Sequence, residues 1–168
     1  GGMVVLDEDD CMVDIAYYFL SFTQSQSCGR CTFCRVGTRR MLELLEKIRS
    51  GKGVPEDLKN LEHLAASTKQ GSLCGLGKTA PNPVISTLVY FREDYEAHLQ
   101  GKCPAGKCIP LISYSVNDDC IGCTKCAQRC PSDAIEYKPF EKHFIDQEKC
   151  IKCDICRQVC PEDAILIT

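Results

Sequence analysis

No stretch of this sequence approaches the roughly 20 consecutive apolar residues that a membrane-spanning helix needs, and no signal peptide opens it. Neither a span nor export is therefore expected. Charge of one sign is also lacking. The 20 Lys and Arg nearly balance the 23 Asp and Glu, and the formal net charge of −3 leaves no electrostatic footprint for nucleic acid. No glycine-rich nucleotide fingerprint is present; Gly75-x-Gly77 alone is far too weak. With 44% hydrophobic and 26% charged residues the chain is not disordered by composition, and 168 residues make one or two small domains. Gly1-Gly2 before Met3 reads as an expression scar, so the chain is expected to be an excised fragment.

What is abundant is cysteine, with 15 residues. At this density cysteines form a disulfide scaffold or bind metal. An odd count and no secretory signal argue against disulfides. Eleven of the cysteines fall in C-x-x-C runs or at set distances from them, and such neighbours converge on a metal more readily than on each other. Metal binding implies a reducing compartment, the cytoplasm. Paired zinc knuckles use two C-x-x-C pairs, whereas C-x-x-C-x-x-C with a distant fourth cysteine suits an iron–sulfur cubane better.

The first hundred residues read as helices. The acidic cluster Asp7–Asp10 precedes Met12, Ile15, Ala16, Phe19 and Leu20, giving a helix over roughly 9–24. A second covers about 36–50, with Met41, Leu42, Leu44, Leu45 and Ile48 at helical spacing and Gly51 ending it. Pro55 opens a third, which Gly71 stops. Cys74-Gly75-Leu76-Gly77 reads as a tight loop, and Pro81 opens a fourth helix running to Leu99. Short connections between four amphipathic helices imply a bundle over 3–101.

Residues 102–111 read as a linker. Beyond it come short strand-like pieces at 112–116, 135–137, 143–145 and 164–167, and a repeat with a period of 30. One copy holds Cys120, Cys123, Cys126 and Cys130-Pro131; the other holds Cys150, Cys153, Cys156 and Cys160-Pro161. Residues 112–168 are too few for a large core, so bound metal must help hold them folded. Gly122 is expected to let backbone N–H groups approach sulfur. Lys152 stands at the matching place, so the two copies should differ electronically.

C-x2-C-x2-C-x3-C-P twice over resembles the bacterial two-cluster ferredoxin. In that family the fourth cysteine of each run ligates the other cluster. The resemblance implies one 4Fe–4S cluster on Cys120, Cys123, Cys126 and Cys160, another on Cys150, Cys153, Cys156 and Cys130, and two pseudo-symmetric β-α-β halves. Cys28, Cys31, Cys34 and Cys74, in C-x2-C-x2-C-x39-C, resemble the cluster domain of the flavin-bearing NADH dehydrogenase subunit of respiratory complex I. Closer still is the equivalent subunit of NAD(P)-linked multimeric iron-only hydrogenases, including electron-bifurcating ones, where a two-cluster ferredoxin follows the bundle.

That resemblance implies a third 4Fe–4S cluster on those four cysteines, with Arg30, Arg35 and Arg39 offsetting its charge. It also implies an α+β architecture of a four-helix bundle followed by a small β-α-β two-cluster ferredoxin-like domain. FMN and NAD(P) would bind only in the full-length parent, and the fragment would have no catalytic site of its own. The implied partners are other subunits of a multi-subunit oxidoreductase, a hydrogenase subunit and small iron–sulfur subunits among them.

Twelve ligands leave Cys11, Cys103 and Cys108. His98, Cys103 and Cys108 form H-x4-C-x4-C, either a zinc site without an evident fourth ligand or two reduced thiols beside a helix-end histidine. Cys11 is expected inside the first helix as a small apolar residue, and His63 and His143 as ordinary surface or core histidines. The competing functions are the electron-transfer region of a formate or NADH dehydrogenase subunit, a structural zinc-binding interaction module, a free ferredoxin, and a catalytic cluster. A free ferredoxin needs no bundle, and a catalytic cluster needs an iron without cysteine.

Overall fold

Residues 4–7 and 9–167 are described by the computed structural model; the expected scar at 1–2 lies outside the described residues. Helix α1, Met12–Ser25, buries Met12, Val13, Ala16 and Leu20. Helix α2, Thr32–Arg49, buries Cys34, Thr38, Met41, Leu42, Leu45 and Ile48, which recur every three or four residues and so make one inward stripe. Pro55 starts α3, Pro55–Gly71, where a missing N–H costs nothing. The Asp57 carboxylate accepts the Val54 N–H at 2.8 Å and pairs with Lys47 Nζ at 2.7 Å. Leu58, Leu61, Ala65 and Thr68 face the core. Helix α2 packs against both α1 and α3.

Three helix expectations are corrected. Helix α2 begins at Thr32 rather than 36, because Cys31 takes the N-cap position in extended backbone and nothing in residues 32–35 opposes the helix. Cys74-Gly75-Leu76-Gly77 is not a loop: Cys74 is the N-cap of a short helix α4, Gly75–Thr79. The expected fourth helix is two, α5, Asn82–Tyr90, and α6, Arg92–Leu99, broken at Phe91 (φ −131°, ψ 41°). The Thr87 hydroxyl bonds back to the Pro83 carbonyl at 2.8 Å, a contact that bends helices, and meets the buried Tyr95 hydroxyl at 2.7 Å. Glu93 and Asp94 then suit the start of a new helix.

Residues 102–111 pack onto this helical core. Cys108 is buried within it, and Cys103, Ala105 and Leu111 lie against it. A 3-10 turn, Ile109–Leu111, closes the first of two units, which meet between Leu111 and Ile112.

The second unit contains short helices α7, Lys125–Arg129, and α8, Ile155–Gln158, and one antiparallel pair of strands. Strand β1, Tyr114–Val116, pairs with β2, Ile165–Ile167, in the register Tyr114↔Ile167, Ser115↔Leu166 and Val116↔Ile165. The other two expected strands reduce to a single bridge, Ile135↔Ile145. Between them Pro139 and left-handed Phe140 (φ +65°) turn the chain aside. The Gln147 side chain donates to the Tyr114 and Ile145 carbonyls, at 2.7 and 3.1 Å, in place of a longer ladder.

The sequence repeat is also a backbone repeat. Left-handed residues recur at Gly122 and Lys152 (φ +67° and +58°), Thr124 and Asp154 (+64° and +62°), and Asp133 and Asp163 (+49° and +46°). The described residues are α+β, helix-rich with one small sheet. Among the described residues no helix is long and apolar enough to cross a membrane.

The approach of α2 to α3 sets the spacing of the helical cysteine loops. It depends on Gly37, where any Cβ would collide with the Thr68 side chain. Gly37→Ala is expected to destabilise the helical unit by about 1–3 kcal/mol through overpacking. Chemical unfolding monitored by circular dichroism would show it as a lowered midpoint.

Candidate metal centres

Within the second unit the cysteines ring two separate cavities. Cys120, Cys123, Cys126 and Cys160 line one, with Val116, Ile121, His143 and Pro161. Cys130, Cys150, Cys153 and Cys156 line the other, with Tyr114, Pro131, Ile135 and Ile145. Each repeat thus gives three sulfurs to one cavity and its fourth to the other.

Left-handed Thr124 and Asp154 start α7 and α8, and those helices present Cys126 and Cys156 inward. Burial pushes the Cys156 thiol up to about 11 and raises that of Cys126 as well. Such thiols stay protonated until a cation replaces the proton. Backbone N–H groups meet the crossing sulfurs in matched fashion: Ala134 N–H reaches Cys130 Sγ, and Ala164 N–H reaches Cys160 Sγ, both at 3.3 Å. Burial opposes ionisation of Cys130. The Ser132 N–H and hydroxyl, with the Ala134 and Ile135 N–H groups, outweigh it and hold this thiol below its usual range.

Gly122 also makes room for a neighbouring segment. A Cβ there would stand 2.6–2.7 Å from the backbone of Phe140 and Glu141, and the Phe140 N–H donates to the Gly122 carbonyl at 3.0 Å. The missing side chain admits the loop joining the repeats.

In the helical unit Cys31 is the cap of α2, Cys34 lies in its first turn, and Cys74 caps α4. The backbone N–H groups of Leu73 and Cys34 lower the Cys31 thiol, which places the Cys74 loop against the triple. A Cβ on Gly77 would meet Ser72 at 2.7 Å and Cys34 Cβ at 3.1 Å. Cys28 stands exposed in the same loop, where Ser27 Oγ lies 3.3 Å from Cys34 Sγ. Arg35 donates to the Gly29 carbonyl at 3.3 Å and so braces that loop. Arg39, expected to offset cluster charge, instead pairs with Glu43 at 3.2 Å.

One buried side-chain polar atom, His143 Nε2, lacks a hydrogen-bond partner among the described residues, and the buried Ser72 hydroxyl has only the Cys31 sulfur beside it. Both stand beside cysteine sets. Buried polar groups are otherwise satisfied in folded proteins. Sulfur-rich groups bound among the thiols would supply acceptors at both places, so the residues present fit iron–sulfur clusters.

A fourth cluster of ligands joins the ends of the helical unit. Cys11 Sγ, His98 Nε2, Cys103 Sγ and Cys108 Sγ all lie within 4.8 Å of one another. Cys11 is not an interior residue of α1 filling an apolar gap. It is the N-cap, and its sulfur stands 3.4 Å from His98 Nε2 and 3.7 Å from Cys108 Sγ. His98 Nε2 is 3.3 Å from Cys108 Sγ. Thiolates 2.3 Å from a tetrahedral centre are about 3.8 Å apart, close to this spacing.

His98 Nδ1 donates to the Asp94 carbonyl at 2.6 Å, which leaves Nε2 facing the thiols. Burial opposes a charge on this imidazole, but the Cys103 and Cys11 thiols and the Asp94 carbonyl outweigh it and push His98 up to about 10. A hydrogen bond from Cys108 holds Cys103 far below its usual range and raises Cys108 in turn. Anionic sulfur beside a proton-holding imidazole is a site where a divalent cation can displace protons. Cys11 was findable by elimination, since removing twelve cluster cysteines leaves three thiols beside one histidine. His63 is exposed, whereas His143 is buried against Cys120.

The NADH-ubiquinone oxidoreductase-F iron-sulfur binding region matches residues 14–98, and a 4Fe-4S dicluster domain matches residues 115–167. The first match spans half of the chain, which therefore belongs to the NADH-ubiquinone oxidoreductase-F iron–sulfur binding family.

Among curated relatives, the NADP-reducing hydrogenase subunit HndC of Solidesulfovibrio fructosivorans is 46% identical over 145 residues, covering 85% of this chain and 30% of the relative. A subunit of the NADH-quinone oxidoreductase of Streptomyces coelicolor is 42% identical over 99 residues, covering 58% of this chain and 22% of the relative. The crystal structure of an NAD+-reducing [NiFe]-hydrogenase in the H2-reduced state superposes with a TM-score of 0.55 at 38% identity, over 57% of this chain and 16% of that one. The chain thus spans less than a third of the length of these relatives.

The crossing of Cys130 and Cys160 has a measurable consequence. With one 4Fe–4S cluster per cavity, Cys120→Ala with Cys160→Ala is expected to cost at most one cluster, about four iron per chain, whereas Cys130→Ala with Cys160→Ala costs two. Iron analysis after anaerobic purification distinguishes them.

Proposed function

We propose that this chain is the electron-transfer region of a flavin- and NAD(P)-linked, multi-subunit oxidoreductase of the hydrogenase kind. On this reading the helical unit carries one 4Fe–4S cluster, and a β-α-β ferredoxin-like domain carries two. The observation that carries the reading is the grouping of sulfur. Cys120, Cys123, Cys126 and Cys160 ring one cavity, Cys130, Cys150, Cys153 and Cys156 another, and the loop around Cys74 meets Cys31 and Cys34. When bound, such clusters accept and release one electron at a time.

The chain's own part is to hold and tune. Soft thiolates bind iron, and the N–H groups of Ala134, Ala164 and Leu73 donate to sulfur and favour added negative charge. Four cysteines to each set leave no iron open to substrate, so the region conducts and does not turn over. FMN and NAD(P) belong to the rest of the longer subunit. The partners are a hydrogenase subunit and small iron–sulfur subunits, in the cytoplasm. The likeness to a component of NADH-quinone oxidoreductase favours, as a second reading, the same role in an NADH dehydrogenase.

Cys11, His98, Cys103 and Cys108 hold one zinc ion. Its d10 shell excludes redox work, so its role is mechanical. It ties the start of α1, the end of α6 and the segment 103–108 together where the chain leaves the helical unit.

Anaerobically prepared protein is expected to contain about 12 iron, 12 sulfide and one zinc per chain. Cys11→Ser should remove the zinc and leave the iron. Protein that folds with zinc and no iron would refute electron transfer. Full iron without zinc would refute only the structural metal.

A further inference from the structure

The two halves of the second unit set a ring at the same backbone position. Val116 pairs with Ile165, and Ile145 bridges Ile135 in the other half. Two residues before Val116 stands Tyr114, and two before Ile145 stands His143. Tyr114 lines the cavity of Cys130, Cys150, Cys153 and Cys156, while His143 lines that of Cys120, Cys123, Cys126 and Cys160.

Their polar atoms are treated differently. The Tyr114 hydroxyl donates to the Asp154 carboxylate, so its hydrogen is spent within the protein. His143 is only 4% exposed. Its Nδ1 lies 3.6 Å from Cys120 Sγ, and its Nε2 has no partner among the described residues. Apart from the exposed Glu162, the lining side chains of that cavity that could accept a hydrogen bond are cysteines.

We propose that His143 is a positioning residue that donates a ring N–H to the sulfur shell of the cluster held by Cys120, Cys123, Cys126 and Cys160, and so makes that cluster the more easily reduced of the ferredoxin-like pair. This rests on the cluster reading above. An N–H directed at ligand or inorganic sulfur stabilises the extra negative charge of the reduced state and raises the potential. Tyr114 gives the neighbouring cluster a ring of comparable bulk without that bond. Near-identical ligand loops thereby acquire unequal affinity for an electron, and at equilibrium the electron rests on the cluster beside His143.

The test is an EPR-monitored redox titration of the cluster-loaded chain, comparing wild type with His143→Phe, His143→Gln and Tyr114→Phe. In His143→Phe one cluster's reduction constant is expected to fall tenfold or more, which is 59 mV for a one-electron couple. The other two clusters stay in place. His143→Gln, which keeps an N–H donor of similar reach, recovers most of the shift, and Tyr114→Phe does not move that cluster.

Three unchanged potentials in iron-replete His143→Phe overturn the donor role alone. A wild type that binds no iron overturns the cluster reading with it. Should His143→Phe lose iron, pulsed EPR of wild type labelled with 15N-histidine decides. A ring-nitrogen coupling to one reduced cluster that disappears in His143→Gln supports the proposal, and its absence from wild type overturns it.

Discussion

A metal bound by thiolates demands that several sulfur atoms reach one point within a few tenths of an ångström, and the chain must bring them from wherever the sequence has them. This demand governs the molecule. In the helical unit the close approach of α2 and α3 brings the loop around Cys74 to Cys31 and Cys34, some forty residues earlier. In the second unit, where few apolar side chains are available, the cavities ringed by sulfur occupy the place of a conventional core. At the junction, Cys11 reaches a histidine 87 residues away.

The two repeats show how a common scaffold acquires unequal parts. Their ligand loops share left-handed residues at three matched positions, and their crossing cysteines accept matched N–H groups. The differences lie around the loops. Gly122 accommodates the joining segment through its lack of a side chain, whereas Lys152 carries one at the matching place. His143 and Tyr114 then set different chemistry against the two cavities.

The local patterns were legible in the sequence. The period of 30, the spacing of the cysteines and the apolar stripes of α1, α2 and α3 each depend on residues close along the chain. What escaped depends on contacts across it. Nothing near Cys11 reveals that an N-cap sulfur meets His98 and Cys108, although the leftover cysteines offered the clue by subtraction. At the break at Phe91, Thr87 bonds both to its own helix and to Tyr95, a contact across the chain that periodicity does not report, though the acidic pair after it hinted at a new start. The missing strand ladder follows from Gln147 taking carbonyls that a sheet would have used. Arg39 looked free for cluster charge only because Glu43, one helical turn on, was left out of account.

The crossing of Cys130 and Cys160 says something about how such a unit could arise. A single half, standing alone, carries three sulfurs of one ring and the fourth of another, so it can complete neither. Two identical halves can complete both by exchanging their last cysteine, as protomers do in a domain-swapped dimer. The second unit has the form of such a dimer fused into one chain, with residues 138–142 as the tether. Once fused, the halves were free to diverge, provided that neither gave up the sulfur it lends to the other.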